Sequence, residues 1–220
     1  MSDQPPPLGV SLRLMQQLLK EAEEASLTNT TDICNKIVKP KTFGRKCAYV
    51  DLLREQHPDD IKAATVFISH AWKYDLADSV DVMEQYEAKH PNSFFWFDLM
   101  LNNQHGTSDH PFDWWCTTFQ QSIEQIGVVV LVMSPWNEPI PLTRSWCLFE
   151  IMCSLNAGAS KVDFQIHLPS HQAASFVEGL RADYKSGMDA LVVRTKVEDS
   201  TASNSTASIE SDKTMIFRAV

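Results

Sequence analysis

The hydrophobic positions of this chain change period several times, and each change marks an element. Residues 12–25, LRLMQQLLKEAEEA, put Leu12, Met15, Leu18, Leu19 and Ala22 on one side at helical spacing. Residues 1–10 are Pro-rich and predict an unstructured start. Residues 26–60 carry a weak pattern, with a basic stretch, KIVKPKTFGRK, and a short helix near YVDLLREQ. The basic stretch reads first as solvated surface, with phosphate or a membrane as the alternative contact.

From residue 65 the blocks alternate regularly. TVFIS (65–69) reads as a short apolar strand, 78–89 as a helix, and SFFWFD (93–98) as an aromatic strand. A polar loop with Asn102, Asn103, Gln104, His105 and Gly106 follows, then a helix over 113–125 with Asp113 as its N-cap. VVVLVMS (128–134) is a continuous apolar run, as in a strand buried on both faces. A Pro-rich loop leads to a helix over 145–156, capped by Ser145 and closed by Ala157 and Gly158. VDFQIHL (162–168) is the fourth strand, Ser170 caps a helix reaching residue 184, and ALVVR (190–194) is the fifth strand.

Strands separated by helices predict an α/β fold with a five-stranded parallel sheet and helices on both faces. Such sheets take ligands beyond the carboxyl ends of their strands, where the strand order switches. Here those ends carry Ser69, His70, Trp72, Asp98 and the run Ser134-Pro135-Trp136. The expected organisation is an N-terminal extension over 1–61, the α/β domain over 62–195, and a Ser/Thr-rich linker with an apolar stub over 196–220. The abrupt stub predicts either continuation past Val220 or packing of the stub on the domain.

Composition narrows the chemistry. A formal net charge of −9 argues against a general nucleic-acid backbone binder. No stretch approaches the roughly 20 apolar residues of a membrane span, and no basic-then-apolar leader is present. Five cysteines, an odd number without a CxxC pair, fit reduced thiols and a cytoplasmic location. His105, His110 and Cys116 match no familiar metal spacing, so no metal is expected. Glycine-rich phosphate cradles and the GxSxG elbow are missing from the sequence.

One short stretch carries sharper chemistry. In TRSWCLFE (143–150), Trp146 and Glu150 stand four residues apart on the predicted helix, with Leu148, Ile151, Met152 and Leu155 as the face toward the sheet. Four steps of about 100° bring Trp146 and Glu150 to one azimuth. They form either one wall of a site or a half-buried Trp beside a solvated Glu.

Three segments, in order, resemble the TIR domain family (Toll/interleukin-1 receptor/resistance protein). VFISH (66–70) resembles its first box. TFQQSIEQIGVVVLVMSP (118–135) resembles its helix and central strand. SWCLFEI (145–151) resembles the plant-type W-C-x-x-E motif. The likeness covers residues 62–195 and implies a flavodoxin-like topology. Thr65 stands where an acidic residue often precedes the first box, and the loop LMLNNQHGTSDHPFDWW replaces the usual Arg-Gly or Pro-Gly turn.

The resemblance implies an NAD+ hydrolase of signalling or defence, activated by self-association, with NAD+ as substrate and no cofactor. It assigns the catalytic carboxylate to Glu150 and a pocket wall to Trp146. Ser69, His70, Trp72 and Asp98 would contact the nucleotide, and Arg144 its phosphates, an ordinary surface ion pair being the other reading of Arg144. The second expectation is a non-enzymatic homotypic assembly module. The third is a nucleotide-binding regulatory domain using Asp98.

Overall fold

In a computed structural model, which describes residues 5–106, 111–158 and 160–182, a six-stranded mixed sheet organises the chain. Its strands are β1 (Leu8–Ser11), β2 (Ile61–Ala63), β3 (Val66–Ser69), β4 (Phe94–Trp96), β5 (Val128–Val132) and β6 (Asp163–His167). They lie in the order β2-β1-β4-β3-β5-β6. The stretch β4-β3-β5-β6 is parallel, whereas β1 runs antiparallel to both β2 and β4. The expected all-parallel sheet of five strands is thus corrected to a mixed sheet of six, in which β1 runs against its neighbours and separates β2 from the four contiguous parallel strands. The expected strand at 190–194 and the C-terminal stub lie outside the described residues.

The addition comes from the Pro-rich start, which had read as unstructured. Val10 of β1 is fully buried and pairs with Ile61 and Phe95. Gly9 makes the insertion sterically possible. A Cβ there would stand 2.9 Å from both Ala64 Cα and the Phe94 carbonyl carbon. Four residues after a proline run give no legible alternation, so periodicity misses the strand. Ser11 ends β1 and caps the next helix, its Oγ accepting from Leu14 N at 3.4 Å.

The helices are α1 (Leu12–Glu24), α2 (Thr30–Ile33), α3 (Lys39–Thr42), α4 (Tyr49–Gln56), α5 (Leu76–Glu87), α6 (Asp98–Leu101), α7 (Phe112–Ile126), α8 (Ser145–Ala157) and α9 (Ser170–Ala182). A π-helical turn, Cys34–Val38, joins α2 to α3. Alternation along the strands divides the core between two faces. Val66, Ile68, Val130 and Val132 share one cluster with residues of α1 and α5. Phe67, Trp96 and Val129 share the other with Phe119 and Ile123 of α7 and Phe149 of α8. There Phe67 stacks on Trp96 at 4.3 Å between ring centroids, and Phe119 meets Trp96 edge-on at 5.4 Å.

Two caps differ from expectation. The N-cap of α7 is Pro111, not Asp113, and that of α8 is Arg144, with Ser145 its first residue. Gly127 closes α7 at φ 75°, where its N–H reaches the Ile123 carbonyl at 2.9 Å. Leu155 was expected to face the sheet but is 60% exposed. Ile151 and Leu148 do pack against β5 as expected, and Cys147, Glu150 and Ser154 join the buried side of α8, with Phe149 and Cys153 toward α7.

Candidate functional site

The chain passes from β3 to β4 on one side, then crosses back to β5 on the other. The strand order therefore reverses at β3, and the crevice beyond its carboxyl end is the natural ligand position of this topology. β3 ends on Ser69, β4 runs into Phe97 and Asp98, and α8 brings Glu150 over the same rim.

Glu150 is on the inward side of α8 because its helical neighbours at three and four residues, Cys147 and Ser154, are small and buried. The residue is only 7% exposed, and Ser69 Oγ donates to its Oε2 at 2.5 Å. Burial pushes the Glu150 carboxyl up to about 8, opposed by the Ser69 hydrogen bond and reinforced by the charge of Asp98. At neutral pH the group is mostly protonated. A neutral carboxyl against a serine hydroxyl is inexpensive to bury, and an ionised one is not.

Asp98 forms the second half of the rim. Trp72 Nε1 donates to Asp98 Oδ2 at 2.6 Å. Asp98 Oδ1 lies 3.9 Å from His70 Nδ1 and has no hydrogen-bond partner among the described residues. The His70 ring stacks on Phe97 at 4.2 Å, and its Nε2 is likewise buried and unpartnered among the described residues. Burial lowers the pKa of His70, with Asp98 acting in the other direction. The imidazole is therefore neutral at neutral pH, and its approach to Asp98 is not an ion pair.

The remaining expected residues divide. Trp146 is half-buried and packs on Phe119 at 5.5 Å and Phe149 at 5.9 Å, inside the contact between α7 and α8. Trp146 and Glu150 thus share a side of the helix, but the indole packs into the helix–helix core while the carboxyl reaches β3. Arg144 precedes α8, half-buried, and its charge lowers the pKa of the Cys147 thiol. Burial, the larger effect, raises that thiol well above its ordinary value. Its sulfur lies 3.4 Å from the His70 carbonyl oxygen. Cys147 is not poised as a nucleophile.

Two participants escaped the sequence reading, Phe97 beneath His70 and Tyr74, whereas Cys147 is the buried packing thiol that its place at a helix start suggests. The Tyr74 hydroxyl accepts from Ser134 N at 2.9 Å and donates to the Ser134 carbonyl, tying down the end of β5. Small residues three and four positions from Glu150 were the one signal that its side of the helix faces inward. Of the residues weighed for metal, His105 Nε2 is 2.7 Å from Thr42 Oγ1, Cys116 lies on α7, and His110 lies outside the described residues. No cluster of metal-ligating side chains occurs among the described residues.

A cavity of about 710 Å³ opens between α7 and the start of α4, beside β1. Trp96, Trp114, Asn102 and Gln121 line it, and no member of the Glu150 rim does. No helix among the described residues is long and apolar enough to cross a membrane. Compared with known proteins, the chain matches no family model, no curated protein and no solved structure.

Proposed function

We propose that this chain is a TIR-type NAD+ hydrolase that releases nicotinamide from the ribose, acting in the cytoplasm and activated by association with copies of itself. One observation carries the reading. The glutamate of the W-C-x-x-E stretch is buried against Ser69 at the end of β3, where the strand order reverses. A glutamate of purely solvating role would point outward.

The chemistry follows from the charge state. The nicotinamide of NAD+ is a cation, and a positive charge beside Glu150 favours its ionised form. Substrate entry would draw the proton off the carboxyl. The C1′–N bond then breaks, nicotinamide departs with the electron pair, and the developing ribose cation is stabilised by the Glu150 carboxylate. Water adds to C1′ and loses a proton. Asp98 Oδ1 and His70 Nε2, both buried and lacking a partner among the described residues, would meet the hydroxyls of the nucleotide once the rim opens. Arg144 is assigned to its phosphates, and Trp72 holds Asp98 in place. Trp146 stacks on the pyridinium only if it leaves Phe119, a rearrangement that self-association would drive.

The test is nicotinamide release by the concentrated chain, wild type against Glu150→Gln. Release that vanishes in the variant supports the proposal. Equal release in both, or none from the wild type at any concentration, sinks it.

A second reading, a non-enzymatic assembly module, is favoured by a separate observation. The large cavity lies away from Glu150, and Trp114 of α7 and Leu155 of α8 are 41% and 60% exposed. Concentration-dependent association without nicotinamide release would select this reading.

A further inference from the structure

We propose that Phe43 and the cations near it in the sequence form a docking face for an anionic lipid surface. Between Asp32 and Asp51 the sequence holds no acidic residue, but it holds Lys36, Lys39, Lys41, Arg45 and Lys46. In a chain of net charge −9, this is a concentrated island of opposite sign. Two of the five are neutralised: Lys41 pairs with Glu21 at 2.5 Å and Arg45 with Glu55 at 2.7 Å. Lys36, Lys39 and Lys46 have no carboxylate partner among the described residues. Their field reaches His105, whose imidazole is held below its usual range by burial, Lys46 and Lys39.

At the centre stands an apolar tip. Phe43 follows α3, is 64% exposed, and has the Lys46 ammonium 4.0 Å above its ring. A side chain added at the neighbouring Gly44 would meet nothing within 4 Å, so the turn projects into open space. A projecting aromatic with Lys46 over its ring, and with Lys39 acting on the same His105 that Phe43 contacts, suits a flat, negatively charged interface, where the ring enters the headgroup layer and the lysines meet phosphates. An acidic peptide would call for a groove, and neither Phe43 nor the free lysines line the cavity beside α4. Three lysines without a carboxylate partner among the described residues and one exposed aromatic give weak, reversible binding, which multiplies when several copies engage one surface.

The test is co-sedimentation of the full chain with vesicles of phosphatidylcholine alone and of phosphatidylcholine mixed equally with phosphatidylserine, at low and high salt. Binding is expected on the mixed vesicles only, weakening as salt rises. Lys39→Glu with Lys46→Glu should lower it by about thirtyfold or more, at about fivefold for each cation removed. Phe43→Ser should weaken it at every salt concentration. All three positions are exposed or half-exposed, and an unchanged thermal midpoint checks that each variant folds. Equal binding to both vesicles, no binding to either, or insensitivity to Phe43→Ser would overturn the proposal. So would equal affinity for soluble polyglutamate, which would make the face a site for acidic polymers.

Discussion

Glu150→Gln is expected to change how stability depends on pH more than it changes stability itself. The folded carboxyl titrates at about 8 against an ordinary value of 4.5, chiefly because it is buried. Between those two values the folded state keeps a proton that the unfolded chain has lost. Stability is therefore full below the unfolded value and falls as pH rises through the folded one, by about 1.4 kcal/mol per pH unit. The whole window amounts to roughly 5 kcal/mol, a large share of the 5–15 kcal/mol by which such domains are usually stable. Glutamine has nearly the same shape, can still accept from Ser69, and cannot ionise. The variant should match or fall slightly below wild type at the acidic end, by about 1 kcal/mol. It should overtake wild type as pH rises, by about 3 kcal/mol near pH 8. Urea unfolding of both proteins across this range measures the difference directly, because other titrating groups cancel. A difference that stays constant, or that grows toward acid, would refute the burial of a neutral carboxyl at β3.

Three further outcomes follow from neighbouring contacts. Ser69→Ala removes the bond that opposes the rise of the Glu150 carboxyl, so the pH at which stability is lost should move upward in the same unfolding series. Trp72→Phe keeps an aromatic ring but leaves Asp98 Oδ2 without its indole donor, and should cost about 1–3 kcal/mol by urea unfolding. Gly9→Ala forces a Cβ to within 2.9 Å of the Ala64 and Phe94 backbones, and overpacking of that kind should cost about 1–3 kcal/mol in the same assay.

The sequence exposed most of the layout that matters for the rim. Apolar runs at 65–69, 93–98, 128–134 and 162–168 became β3, β4, β5 and β6, because central parallel strands are buried on both faces and read as unbroken hydrophobic blocks. The residues closing those runs, Ser69, His70 and Asp98, fall at the carboxyl ends on the sequence pattern alone. β1 and β2 stayed hidden because they are four and three residues long and owe their pairing to close backbone approach at Gly9, which leaves no periodic trace. The helical spacing of Trp146 and Glu150 was legible, but not that two different partners would draw them apart. Phe119 of α7 claims the indole, and Ser69 claims the carboxyl. Which of two neighbours on a helix turns toward a strand depends on what the adjacent helix offers, and that is tertiary information.

The pH dependence of kcat/KM for nicotinamide release is the measurement closest to the centre of the proposed function, since it reports ionisations of the free enzyme. If catalysis requires the Glu150 carboxylate, the rate should rise about tenfold per pH unit and level off near the folded value of about 8, and Glu150→Gln should show no such rise. A profile flat across that range, or one that survives in Glu150→Gln, would contradict the assignment of the reaction to this buried carboxyl.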